Sequence, residues 1–307
     1  MRAIFQWKIG SRVLELGRRT LIMGIVNVTP DSFSDGGLHF DAGKAVAFAE
    51  RLLDEGAAII DVGGESTRPG ASTLGAGEPA SSATRPGSAA PVSEEEEKKR
   101  VVPVVRDLKK RRPESVISVD TYKASVARAA VEEGAEIVND ISGFRWDPKM
   151  AKTLAELKAG AILMHTRGRP EEWRSLPPIG DPVLLVKREL RQFAEAATLA
   201  GVKRDHLVLD PGFGFGKTLE ENYPLLAHFA ELQQMGFPLL AGVSRKSFVG
   251  RALAKDGKDA PIEERLYGTL AAESILILKG AHILRTHDVK VAADAARVAD
   301  AIVASGG

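Results

Sequence analysis

From about residue 21 onwards the chain alternates a short run that is apolar on both faces with a longer amphipathic stretch, and it does so eight times. The short runs are Leu21–Thr29, Ala58–Gly64, Ser115–Thr121, Glu136–Ser142, Gly160–His165, Leu207–Pro211, Pro238–Ser244 and Ala281–His287. Runs of that kind are buried parallel strands. Between them lie helical patterns such as Ala42–Glu55, Glu94–Arg112, Lys123–Glu133, Pro182–Ala200, Leu219–Met235 and Glu263–Leu278, and Lys290–Ala304 follows the last strand. Eight alternating βα units close most economically into a (β/α)8 TIM barrel. An open, doubly wound sheet is the alternative. Ahead of the repeat, Phe5–Ile9 and Arg12–Leu16 flank Gly10-Ser11 and read as an N-terminal β-hairpin over residues 1–20, placed to cover the barrel's bottom. Residues 1–307 then form a single α/β domain.

Composition narrows the function. Lys and Arg number 42 against 41 Asp and Glu, a balance unlike that of a nucleic-acid coat. There is no cysteine, so thiolate metal sites, Fe–S clusters, disulfides and Cys nucleophiles are excluded. No apolar run reaches the roughly 18 residues of a membrane span, and the N-terminus lacks the apolar region of a signal peptide. A cytoplasmic protein with small-molecule partners is the expectation, with neither nucleic acid nor membrane.

A barrel of this kind works at the C-terminal ends of its strands. Those ends read Asn27-Val-Thr-Pro-Asp31, Asp61-Val-Gly-Gly-Glu65, Asp120-Thr121, Asn139-Asp140, Met164-His165, Asp210, Ser244-Arg-Lys246 and Arg285-Thr-His287. One polar strand end is ordinarily a cap or a structural hydrogen bond. Eight at the same end of consecutive strands form a pocket, because unpaired buried charge costs several kcal/mol. Asp120, Asn139 and Asp210 suit a flat heterocycle with a guanidine-like N–H edge, since a carboxylate accepts two parallel N–H bonds. Lys246, Arg285 and His287 come from the last two strands, where barrels bind phosphate, and so point to an anionic group. Read blandly, Asp120 caps a helix, and Arg285 and His287 pair with Asp288.

Two segments stand apart. Pro211-Gly-Phe-Gly-Phe-Gly-Lys-Thr218 approaches a phosphate-binding loop, but Pro211 stands where the first glycine belongs. It reads as a tight turn that lets a ligand approach backbone beside Asp210. In Gly70–Ser93, 20 of 24 residues are Gly, Ala, Ser, Thr or Pro, too little apolar surface to offset ordering entropy. A mobile insertion loop, 70–93, is expected there. It repeats Thr67-Arg-Pro-Gly70 as Thr84-Arg-Pro-Gly87. The runs Glu94–Glu97 and Lys98–Arg100 read as the charged face of a helix whose dipole they complement.

Taken in order, these segments resemble the signatures of the dihydropteroate synthase family. Gly24-Ile-Val-Asn-Val-Thr-Pro-Asp-Ser-Phe-Ser-Asp-Gly-Gly37 is similar to the first, and Asp61-Val-Gly-Gly-Glu-Ser-Thr-Arg-Pro-Gly-Ala71 to the second. Ser118-Val-Asp-Thr121, Ile137-Val-Asn-Asp-Ile141, Leu209-Asp-Pro-Gly-Phe-Gly-Phe-Gly-Lys217, Gly242-Val-Ser-Arg-Lys-Ser247 and Arg285-Thr-His-Asp288 follow, so the resemblance spans nearly the whole chain. The chain departs from the family in its long 70–93 segment, in Thr286 where Val is common, and in Met164-His-Thr-Arg-Gly168, which fits loosely.

The resemblance implies a (β/α)8 barrel that joins 6-hydroxymethyl-7,8-dihydropterin diphosphate to 4-aminobenzoate, releasing diphosphate and 7,8-dihydropteroate, a folate precursor. It implies Mg²⁺ as cofactor, a homodimer, and competition by sulfonamides at the aminobenzoate site. Carried over by position, Asp120, Asn139, Asp210 and Lys246 hold the pterin, with Met164 beside them. Asn27, Arg285 and His287 surround the diphosphate, and Asn27 ligates Mg²⁺. Thr67, Arg68 and Pro69 come from the second loop, the copy favoured over Thr84–Gly87 because it directly follows Glu65-Ser66. Phe215, Lys246 and Ser247 line the aminobenzoate pocket, Ser247 opening a helix. Lys246, Arg285 and His287 are the catalytic set. Two alternatives remain: a pterin-dependent methyltransferase working with a corrinoid partner, and a degenerate paralogue that binds pterin without turnover.

Overall fold

The structure is a computed structural model that describes residues 2–29, 41–66 and 92–306. The hairpin comes first, strands β1 (Phe5–Ile9) and β2 (Arg12–Leu16) pairing antiparallel with Phe5 opposite Leu16. Eight parallel strands follow: β3 (Leu21–Asn27), β4 (Ile59–Gly63), β5 (Val116–Asp120), β6 (Ile137–Asp140), β7 (Gly160–Met164), β8 (Leu207–Asp210), β9 (Leu240–Ala241) and β10 (Ile283–Thr286). Pairing runs from β8 back through β3 and on to β10 and β9, and a Leu209–Leu239 bridge joins the two ends. The sheet is therefore a closed barrel rather than an open one.

Helices cover the outside: α1 (Ala42–Asp54), α2 (Glu94–Arg111), α3 (Ala124–Glu132), α4 (Met150–Leu157), α5 (Pro182–Leu199), α6 (Asn222–Ala227), α7 (Ser247–Ala252), α8 (Leu266–Leu278) and α9 (Val289–Ser305). Sequence and structure agree closely for the long helices, where caps are explicit. Ser93 Oγ accepts from the Glu96 N–H at 3.2 Å, and acidic residues fill the first turn of α2 while basic ones fill its last. Asp181 caps α5 at Leu184 N, 2.9 Å, ahead of Pro182. The stretch expected as one helix over Leu219–Met235 is instead α6 followed by a 3-10 segment, Phe229–Met235. Asn222, inside the expected helix, starts α6 late because its amide is engaged with the preceding loop, Nδ2 to Thr218 O and Oδ1 from Gly214 N, both 2.6 Å. Strand β9 is shorter than expected: beyond Ala241 the chain turns at Arg245, which takes a left-handed φ of 57°.

The hairpin closes the bottom of the barrel, as expected. Trp7, Ile9 and Leu16 pack with Leu21, Met23, Ile59, Val116, Ile137, Ile162, Val208, Leu240 and Ile283, the lower residues of the strands. The indole N–H of Trp7 donates to His206 O at 2.8 Å, so the buried ring leaves no polar atom unpaired. Ile9 presses so close to β7 that a Cβ at Gly160 would lie 2.4 Å from its Cγ2, which requires glycine there. Among the described residues no helix is long and apolar enough to cross a membrane.

Candidate active site

The parallel register lines up the upper ends of the strands. Asn27 pairs with Gly63, Gly63 with Asp120 and Asp120 with Asn139, a row around one side of the barrel. Met164 pairs with Asp210 across β7 and β8. A cavity of about 60 Å³ opens inside this ring, and Asp120, Asn139, Met164, Asp210, Phe215, Lys246, Arg285 and His287 all line it. Eight of the expected site residues thus meet in one place. Asn27 sits half-buried at the end of β3 and Ser247 is exposed at the first turn of α7; neither is among the cavity-lining residues. Thr67, Arg68, Pro69 and nearly all of the 70–93 insertion lie outside the described residues.

Arg285 organises the floor. Its Nε donates to Asp61 Oδ2 at 2.6 Å and its Nη2 to Asp120 Oδ2 at 2.7 Å. The bland pairing of Arg285 with Asp288 does not occur, because Arg245 takes Asp288, Nε to Oδ2 at 2.9 Å. Nor does Asp120 cap a helix; the Ala124 N–H at the start of α3 donates to Asp147 instead, at 2.8 Å. Burial pushes the Asp120 carboxyl up to about 7, with Arg285 working against the rise. For Arg285 burial alone would lower the value, but Asp61 and Asp120 outweigh it and raise it further. Burial also raises Asp210, whose Oδ1 accepts the Gly212 N–H at 2.8 Å. Lys246 is pulled down to about 7 by burial.

The opposite wall is apolar and flat-sided. Tyr122, Ile141, Trp146 and Met164 pack together with Phe215 against them. The Lys246 ammonium lies 4.2 Å from the Phe215 ring centre and donates to Phe213 O. The Gly-rich turn makes this possible. Gly212, Gly214 and Gly216 all take left-handed φ, at 64°, 79° and 65°, so Phe213 turns into the core and Phe215 to the cavity. Lys217 pins the turn from below, its buried ammonium donating to Gly212 O at 2.7 Å and Phe215 O at 3.2 Å. That is a structural use of a lysine that a phosphate loop would aim at its ligand.

Chemically, the cavity offers acceptors on one side and cations on the other. Asp120 Oδ1, Asn139 Oδ1 and Asp210 Oδ2 have no hydrogen-bond partner among the described residues and are not sealed from the cavity. Lys246, Arg285 and His287 supply donors. Ser244 Oγ accepts the His287 N–H at 3.2 Å and lies 3.0 Å from Nδ1.

Sequence reasoning missed a buried ionic cluster beside this site. Glu97, expected on a solvated helix face, is 1% exposed. Its carboxylate shares the Lys123 ammonium, at 2.5 Å, with Glu65, at 2.6 Å. Glu65 Oε1 also accepts the Val92 N–H at 3.2 Å. The cluster therefore ties both flanks of residues 67–91 to the end of β5. The signal was present in Lys123, a charge placed just beyond a strand end.

The chain is similar to known proteins in sequence and in fold. The family described as "Pterin binding enzyme" matches residues 23–79 and 80–287. A dihydropteroate synthase of Clostridium beijerinckii is 42% identical over 297 residues, covering 96% of this chain and 99% of the relative. The Xanthomonas albilineans dihydropteroate synthase with 4-aminobenzoic acid superposes with a TM-score of 0.82 at 40% identity, covering 97% of this chain and 99% of that one. The same enzyme in complex with 7,8-dihydropteroate gives 0.80 at 37% identity, with 97% and 99% coverage.

Proposed function

The chain belongs to the pterin-binding enzymes and, among them, to the dihydropteroate synthase family, and from that membership we propose how its residues divide the work of making 7,8-dihydropteroate. The chain is a transferase that condenses 6-hydroxymethyl-7,8-dihydropterin diphosphate with 4-aminobenzoate and releases diphosphate. One observation carries this reading: three acceptor oxygens with no partner among the described residues and three cationic or N–H-donating side chains face a single cavity.

The acceptors take the N–H edge of the pterin, and Met164, Ile141 and Phe215 cover its faces. Ring and guanidinium both address the Asp120 carboxyl, whose Oδ2 accepts from Arg285 at 2.7 Å. The ring's N–H groups replace Arg285 at Asp120, and Arg285, still held at Asp61, turns to the diphosphate with His287. Asn27, Arg285 and His287 form the diphosphate end. Phe215, Lys246 and Ser247 border the aminobenzoate, with Thr67, Arg68 and Pro69 arriving from the second loop.

The arylamine is a free base at neutral pH, so no strong general base is required. The barrier is departure of diphosphate and the cation-like carbon it leaves. Donors aimed at the leaving oxygens are worth about 3 kcal/mol each. Lys246 lies between Asp210 and Phe215, where its charge also orients the incoming ring by cation–π contact.

Mg²⁺ fits this donor set in one way. Among the described residues no three His, Asp or Glu side chains are grouped to hold a metal. An ion that keeps several waters and substrate oxygens needs few protein ligands, and the neutral amide oxygen of Asn27 is a suitable one. When bound it supplies charge neutralisation for the diphosphate.

We also read the protein as a homodimer. Tyr267 and Leu278 on α8 and Val298 and Ile302 on α9 are large apolar side chains more than half exposed on neighbouring helices. Sedimentation of the protein at micromolar concentration checks this reading.

The test of function is diphosphate release in the presence of pterin diphosphate, with and without 4-aminobenzoate. Release that depends on the amine supports the assignment. Release without it, or none, removes the assignment. A corrinoid methyltransferase has no use for diphosphate, and a silent paralogue releases none.

A further inference from the structure

Asp61 lies one layer beneath the ring-binding row on β4, fully buried. Its Oδ2 accepts twice, from Arg285 Nε at 2.6 Å and from Asn139 Nδ2 at 3.1 Å. Its Oδ1 is buried with no partner among the described residues. A carboxylate facing a guanidinium accepts and cannot donate. That one-way chemistry decides which end of the Asn139 amide faces a ligand, a choice that asparagine itself leaves open. With its NH₂ committed to Asp61, Asn139 must turn its carbonyl oxygen to the cavity. The wall then presents acceptors from three strands in a row: Asp120, Asn139 and Asp210.

We propose that Asp61 is a positioning residue that sets ring specificity: by locking the Asn139 amide it makes the wall read N–H donors and reject a ring bearing an oxygen at the same edge. Reversed, the amide would offer N–H to the ring and favour an acceptor edge. A site built to pair with a ligand N–H discriminates strongly against the analogue lacking it, because its own buried groups are left unpaired. The inference rests on the reading that this cavity takes a pterin ring.

The experiment is calorimetric binding of two rings, pterin (2-amino-4-oxo) and lumazine (2,4-dioxo), to three proteins. The wild type is expected to prefer pterin by more than about tenfold. In Asp61→Asn the new amide can accept or donate, Asn139 is free to turn over, and the preference falls to within about threefold. The charge-conserving exchange Asp61→Asn with Asn139→Asp restores it, because the new amide donates to the new carboxylate, whose cavity-facing oxygen accepts in either orientation. A single variant that keeps the wild-type preference overturns the proposal. So does an exchange that folds, by thermal melting, yet fails to recover it. A wild type that binds neither ring defeats the pterin reading itself, and the proposal with it, which separates the two failures.

Discussion

The two ends of this barrel are made from the same strands and treat polarity in opposite ways. At the bottom, Trp7, Ile9 and Leu16 of the hairpin fill the opening with apolar side chains, and the one indole N–H finds a carbonyl. At the top, carboxylates, an amide and cations crowd a small cavity, Asp61 Oδ1 is buried with no partner among the described residues, and burial moves Asp120 and Lys246 toward about 7. The lower end maximises stability; the upper end gives some of it up to keep groups ready for a ligand. Substitutions at the two ends should therefore separate stability from activity.

The largest effect is expected below. Trp7→Ala empties a fully buried indole site and strands the His206 carbonyl, lowering unfolding free energy by about 4 kcal/mol while leaving ring affinity in the surviving folded fraction unchanged. Chemical denaturation read beside calorimetry checks it, and an equal loss of ring affinity would show that the two ends are not separate. Above, Arg285→Ala should cost about 3 kcal/mol of transition-state stabilisation, on the order of a hundredfold in kcat, measured by diphosphate release. Unaltered kinetics remove Arg285 from the leaving-group end. Asp210→Ala leaves pterin N–H groups unpaired and should weaken ring binding by about 2 kcal/mol. Unchanged affinity would take Asp210 out of the ring site.

The smallest effect concerns Glu273 on α8, 1% exposed, with neither oxygen hydrogen-bonded among the described residues. Burial raises it from its ordinary 4.5 to about 7. Between those values the folded protein keeps a proton that the unfolded chain has lost. Its contribution to stability is therefore complete below about 4.5 and is lost as pH rises through about 7. Glu273→Gln should gain on the wild type as pH rises from 5 to about 7 in thermal melts, and hold that gain to pH 8. A constant difference across that range would show that the carboxyl does not titrate there.

Much of both ends was legible in the sequence. Period and length gave the eight strands and the long helices, because burial on both faces leaves a continuous apolar run. The polar strand ends gave most of the cavity's lining, because their positions at the ends of consecutive strands are fixed by topology alone. What escaped depended on partners distant in sequence. Nothing near Asp61 marks it as the support of Asn139, 78 residues away. Glu97 looked like part of a solvated run, and only Lys123 across the α2–α3 contact explains its burial. The late start of α6 follows from the use Asn222 makes of its amide, which periodicity does not record.

The most direct measurement is a crystal structure of this protein with 6-hydroxymethyl-7,8-dihydropterin diphosphate bound. The ring's N–H edge is expected against Asp120, Asn139 and Asp210, with the diphosphate beside Arg285 and His287 and the guanidinium gone from Asp120. A ring seated elsewhere, or a diphosphate remote from Arg285 and His287, would contradict the account.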